Sequence, residues 1–173
     1  MSNQYVQLAR DTLETYVQER RIIPIPSDLP TEMLSKRAGA FVSIKKHGEL
    51  RGCIGTIKST TYSIAQEIIQ NAISAGTDDP RFYPVQPEEL KDLVYSVDIL
   101  SEAEPIDSMD QLDPKKYGVI VRSGGRSGLL LPNLEGVDTP YQQVAIVLQK
   151  AGISPSEKYS LERFEVVRYK EDE

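Results

Sequence analysis

The chain has 173 residues, of which 39% are apolar and 27% charged, and its formal net charge is -6. A chain of this size fits one domain, or one domain with a small lobe, and buries roughly 70% of its unfolded surface without disulfide or metal staples. One cysteine excludes an intrachain disulfide and a multi-cysteine zinc site, the acidic balance argues against broad binding to a nucleic-acid backbone, and no apolar run approaches the roughly 18–20 residues of a membrane helix.

The N-terminus lacks the basic, apolar and small-residue regions of a secretory leader, so a cytoplasmic protein is expected. Val6, Ala9, Leu13, Tyr16 and Val17 recur at helical spacing, with Ser2 or Asn3 as cap, and predict a first helix. It must end before Ile22-Ile23-Pro24-Ile25-Pro26, whose prolines enforce an extended arm. A short turn is expected over Glu32–Leu34. Ala40–Lys45 and Leu50–Thr56 read as two strands joined by a turn at Lys46-His47-Gly48-Glu49.

Ile64, Ala65, Ile68, Ile69, Ala72 and Ile73 predict a second helix, capped by Ser59, Thr60 or Thr61 and stopped by Gly76. The loop Asp78–Pro84 is bracketed by prolines, and Pro87-Glu88-Glu89-Leu90 begins a helical turn before a strand over Leu93–Leu100. Ser101–Pro114 reads as acidic loop with a turn near Met109. Gly118–Arg122 and Gly128–Pro132 form a second hairpin, and Thr139-Pro140 opens a helix carrying Tyr141, Val144, Ala145, Leu148 and Ala151 and ended by Gly152. Ser154-Pro155-Ser156-Glu157 has capping-box spacing and predicts another short helix. A strand over Arg163–Tyr169 closes the chain before an acidic tail. Two hairpins require antiparallel pairing, so the expected class is α+β, with a mainly antiparallel or mixed sheet and flanking helices rather than a doubly wound one.

The chemistry centres on Leu50-Arg51-Gly52-Cys53-Ile54-Gly55. Strict alternation along a strand would put Arg51 and Cys53 on one face, where a guanidinium beside a thiol favours the thiolate. An ordinary thiol is only about 3% thiolate at pH 7, whereas one lowered to a pKa of about 7 is half ionised. Gly52 and Gly55 would let a ligand or another chain approach the backbone, although strand glycines also occur at bulges and at tight packing. Against this stands the tendency of free cysteines to be buried small hydrophobes. The only histidine, His47, falls in a predicted surface turn, so a Cys-His dyad lacks its base.

Asp78, Asp79 and Arg81 either pair with one another or supply Arg81 to join Arg51 as a clamp for an anion. Arg51 could also simply pair with Asp79 or Asp98, and Asp98 and Arg122 fall in predicted strands as sheet-edge or pocket residues. Gly124-Gly125-Arg126-Ser127-Gly128 leads into a strand, which reads as a hairpin turn rather than a phosphate loop. No metal-ligand spacing is present.

The unbroken string Leu50–Gly55 resembles the signature of the AMMECR-type domain family. Gly39-Ala40-Phe41-Val42, Asp79-Pro80-Arg81-Phe82, Glu89-Leu90, Gly128–Pro132 and Lys150-Ala151-Gly152 are similar to its further landmarks, in order, from about Tyr5 to Tyr169. The resemblance treats residues 1–173 as a single domain. It implies two unequal subdomains with the signature strand near a cleft between them, and a part in the AmmeMemoRadiSam system with Memo-like and radical-SAM partners. It names neither cofactor nor reaction. Carried onto this chain, the candidate positions are Cys53 and Arg51 for chemistry and Gly52, Gly55, Asp79 and Arg81 for binding. The expected function is an enzyme or enzyme subunit that takes a small anionic ligand at this signature. The alternatives are a non-catalytic module that docks those partners and, third in order, a nucleic-acid-associated regulator.

Overall fold

The structure is a computed structural model that describes residues 3–171. The chain forms two compact units: the first runs to Ile99 and resumes at Val167, and the second is Leu100–Val166.

The first unit opens with helix α1 (Gln4–Glu19), capped by Asn3, whose side chain accepts from the backbone N–H of Tyr5. Ser2, the other expected cap, lies outside the described residues. Arg20 ends the helix in a left-handed conformation, and the proline arm follows. After the short helix α2 (Thr31–Ser35) come strands β1 (Gly39–Lys46) and β2 (Glu49–Thr56), an antiparallel hairpin with His47 and Gly48 at its turn.

Helix α3 (Ile64–Thr77) is capped by Ser63 rather than by Ser59, Thr60 or Thr61. Those three instead hold the fully buried carboxylate of Glu67, which also accepts from Thr56. Burial works against that charge, but the donors outweigh it and the pKa falls below the ordinary 4.5. Gly76 does not stop the helix. It lies inside α3 because Leu13 of α1 packs on it: a Cβ there would stand 2.4 Å from Leu13 Cδ1. Ile68, Ala72 and Leu13 form one core with Val42 and Ile44 of β1 and with Tyr95 and Val97 of β3 (Leu93–Leu100).

The end of the chain returns to this unit in strand β7 (Ser160–Lys170), which lies beside β3. Tyr169 stacks on Tyr5 with ring centroids 4.0 Å apart. Arg10 of α1 grips Glu171, whose carboxylate also accepts from the N–H of Tyr95.

The second unit contains strands β4 (Glu104–Ile106), β5 (Tyr117–Ser123) and β6 (Arg126–Leu130), helix α4 (Pro140–Ala151) and the first part of β7. β5 pairs antiparallel with both β6 and β7, and β4 pairs antiparallel with β7. Val119, Val121, Val144, Val147, Leu148 and Leu161 build its core. Helix α4 has a reciprocal cap between Thr139 and Gln142 and ends at Gly152 in the left-handed conformation. Tyr141 departs from the expected apolar stripe. It is exposed, and Gln143 takes an inward position instead, donating to the carbonyl of Tyr117.

The α+β class with antiparallel pairing holds. Two further local expectations do not. β4 forms in the stretch expected to be loop, and Ser154–Glu157 is a turn rather than a helix, with the Glu157 carboxylate accepting from Ser154 N–H.

Candidate functional site

The β1/β2 ladder pairs Ser43 with Cys53 and Ile44 with Gly52, but Lys45 with Leu50. Arg51 therefore has no partner and is an extra residue in β2, a β-bulge. Strict alternation breaks at that point, and Arg51 is re-aimed. Its Nε and one Nη donate to the two carboxylate oxygens of Glu89 at 3.0 and 3.1 Å, both side chains being largely buried. Glu89 also accepts from Lys46 Nζ and caps the 3₁₀ turn Pro87–Asp92 through the N–H of Gln86. Arg51 leads the donors that hold Glu89 down to about 2. The expected Arg51–thiol pair is thus replaced by an ion pair that anchors the start of β2.

Both glycines of the signature are filled by the chain itself. A Cβ on Gly52 would stand 2.1 Å from the carbonyl oxygen of Ala75 in α3, and one on Gly55 would stand 2.2 Å from the Phe41 ring. Their missing side chains admit a helix and an aromatic ring, so the backbone access expected for a ligand is taken.

Cys53 is half-buried on the face of β2 opposite α3, with its Sγ 3.2 Å from the Ser43 hydroxyl. Burial pushes its pKa above the ordinary 9.0, and Ser43 and Arg81 only partly offset that. The expected thiolate is therefore a neutral thiol at pH 7. His47 is an exposed turn residue, 3.9 Å from Asp92, and serves no base role at Cys53.

The group that does reach Cys53 is Asp79, which is 4% exposed. One of its oxygens accepts from the Cys53 backbone N–H at 3.0 Å and from an Arg81 Nη at 2.8 Å. The other accepts from Arg81 N–H and Nε, each at 3.0 Å. The Arg81 fork, ahead of the two backbone donors, holds the Asp79 carboxyl far below its ordinary 3.8. Arg81 itself stays 57% exposed. The two expected partners thus come together around Cys53, without Arg51.

Two further side chains carry the site beyond the signature. Asp98 of β3 is buried and forks onto Arg168 of β7, with Nε–Oδ1 at 2.7 Å and Nη2–Oδ2 at 3.0 Å. Arg168 gave no local sequence signal, whereas Ser43 was legible as a polar residue on the Cys53 face of a hairpin. Arg122, the other strand residue considered, pairs with Glu162 in the second unit. No group of three metal-ligating side chains occurs among the described residues. A cavity of about 290 Å³ in the second unit is lined mainly by apolar residues such as Val144, Leu148 and Ile153 and contains none of the signature residues.

These geometries fit a wider kinship. The family model AMMECR1 matches residues 6–173 of the chain. The chain belongs to the AMMECR1 family. A protein of Thermotoga maritima is 51% identical over 168 residues, covering 96% of this chain and 97% of that protein. One from Clostridium acetobutylicum is 53% identical over 168 residues, and this chain spans only 36% of its length. Among solved structures, an uncharacterised protein of Pyrococcus horikoshii matches with a TM-score of 0.88 at 32% identity, covering 97% of this chain and 90% of that one. The AMMECR1-family fold accounts for nearly the whole chain. No helix among the described residues is long and apolar enough to cross a membrane.

The neutral thiol makes a direct prediction. Alkylation of Cys53 by iodoacetamide should be slow at pH 7 and rise with a midpoint above the ordinary 9.0. Arg81→Gln should move that midpoint higher, because Arg81 favours the thiolate. A rate profile with its midpoint below 8 would contradict this electrostatic picture.

Proposed function

We propose that this AMMECR1-family chain is an enzyme or enzyme subunit that binds a small anionic compound on the β2 face bearing Cys53. One observation carries the reading: a single buried carboxylate, Asp79, holds both the Cys53 backbone and the exposed Arg81 guanidinium. Arg81 is thereby fixed as a rigid fork beside a thiol, and a fixed guanidinium recognises carboxylate or phosphate at low entropic cost. With no histidine base and a neutral thiol, Cys53 suits hydrogen-bond or proton donation better than thiolate attack.

A second reading is a docking module, with the Memo-like and radical-SAM proteins that the signature resemblance implies as partners. The greater length of the Clostridium relative supports it, since a matching segment there shares a chain with much additional sequence. Leu50, 42% exposed at the start of β2, would belong to such a surface.

Calorimetric titration with butyrate as a minimal carboxylate probe separates the two. The anion-site reading expects saturable binding that Arg81→Gln weakens at least tenfold and Leu50→Asp leaves unchanged. Equal affinity in wild type and Arg81→Gln, together with loss of binding to a purified Memo-like protein in Leu50→Asp, would favour docking instead.

A further inference from the structure

We infer that the ligand of this site carries two anionic groups, one held by Arg81 and the other by Arg168; this rests on the reading of the Cys53 face as an anion site. Tyr95 and Val97 are fully buried in the core beneath the sheet, so Ser96 and Asp98 belong to the opposite face. On β1 the same division sends Val42 and Ile44 to the core and Ser43 to the other face, opposite Cys53 of β2. With the strands in the order β2-β1-β3-β7, the residues Cys53, Ser43, Asp98 and Arg168 follow one another across that face.

The two ends of this row use the same device. Arg81 and Arg168 each spend Nε and Nη2 on the two oxygens of a buried aspartate. Neither Nη1 makes a hydrogen bond among the described residues, and the side chains stay 57% and 37% exposed. A guanidinium that only neutralised a buried carboxylate would need no more than the edge already used. On Arg81 the Nη2 also reaches the Cys53 carbonyl oxygen at 3.5 Å, so on both arginines it is Nη1 that is left to bind an oxyanion, and the partner aspartate fixes its direction. Between the two aspartate–arginine pairs lie the Cys53 thiol and the Ser43 hydroxyl, both uncharged donors. The thiol feels the charges of Arg81 and Arg168 and, with the opposite sign, those of Asp79 and Asp98.

Adjacent strands are about 4.8 Å apart, so β2 and β3 are separated by roughly 10 Å. Because β2 is the edge strand and Arg81 is held outside it through Asp79, the two guanidiniums stand farther apart than that. Once each anion has closed on its guanidinium, the complementary ligand is a short dianion of about four to six carbons, or a phosphorylated carboxylate of similar length. A monoanion would use one end only.

The test titrates the whole chain at low salt with succinate, glutarate and adipate, against butyrate. At least one dianion should bind tenfold or more tightly than butyrate. Arg168→Gln should bring that dianion to the butyrate level. Because Arg168→Gln leaves Asp98 buried and unpaired, the double variant Asp98→Asn/Arg168→Gln is measured beside it, with thermal unfolding as the check on folding, and should lose the preference too. Equal affinity for mono- and dianions in wild type, or a preference that survives in the folded double variant, overturns the second anchor while leaving Arg81 as an anion site. Absence of binding by any of the four probes overturns the anion-site reading itself.

Discussion

Gly52→Ala is expected to destabilise the protein by about 3 kcal/mol, the upper end of what overpacking a close contact costs. The added methyl would stand 2.1 Å from the Ala75 carbonyl oxygen and 3.1 Å from its carbon, and both atoms belong to the backbone of α3. Relief requires moving a helix whose other side carries Leu13 against Gly76, so neither strand nor helix yields cheaply. Gly125→Ala is the matched control, because a Cβ there meets nothing within 4 Å. Urea denaturation should show the first substitution shifting the midpoint strongly and the second by less than about 0.5 kcal/mol. A cost for Gly52→Ala as small as that of the control would mean that α3 does not clamp β2.

Asp79→Asn should cost about 2–3 kcal/mol at pH 7, from the weakening of charge-assisted hydrogen bonds to Arg81 and of the acceptor for Cys53 N–H. Its pH dependence is as informative as its size. The folded carboxyl titrates well below the ordinary 3.8, so its contribution is complete above about pH 4 and is lost as pH falls through the folded value. The stability gap between wild type and Asp79→Asn should therefore be constant from pH 7 to about 5 and shrink steadily below 4. Glu89, held to about 2 by Arg51, loses its own contribution over an overlapping range in both proteins. The difference between the two curves, not the wild-type curve alone, isolates Asp79. A gap that stays constant down to pH 3 would rule out the carboxylate as the origin of the effect.

Local periodicity made the large elements legible. The stripes of α1 and α3, the Val144 and Leu148 positions of α4 and the apolar runs of the two hairpins survive folding because these residues enter the cores. What escaped was set by distant partners. β4 is three residues long and exists as a strand only through its pairing with Leu161–Arg163. Gly76 looked like a helix stop because its true reason, the passage of Leu13, lies in another helix. Glu157 does accept from Ser154 N–H, as its spacing suggested, but the Ser154 hydroxyl accepts from Ser156 N–H rather than from Glu157 N–H, and the segment closes as a simple turn.

At the site, the Asp79–Arg81 pairing was readable because the two residues are neighbours on one loop. Arg168 was not, since its partner Asp98 stands 70 positions earlier in the chain. Arg51 and Cys53 do not share a face as strict alternation predicts, because Arg51 is an extra residue in β2. One inserted position reverses which face every later side chain occupies relative to the earlier ones.

That bulge makes the signature a mechanical joint rather than a single site. Leu50 and Arg51 lie on the side fastened to Glu89 and the turn behind it, Gly52 seats the strand on helix α3, and Cys53 begins the side that meets Asp79. Three consecutive residues thus answer to three different neighbours, 38, 23 and 26 positions away in sequence. Lengthening or shortening the string by one residue would force a choice between keeping the anchor and keeping the thiol in place. The exact spacing of the motif is therefore a tolerance requirement of the assembly, in which the placement of Cys53 depends on where Arg51 and Gly52 are held.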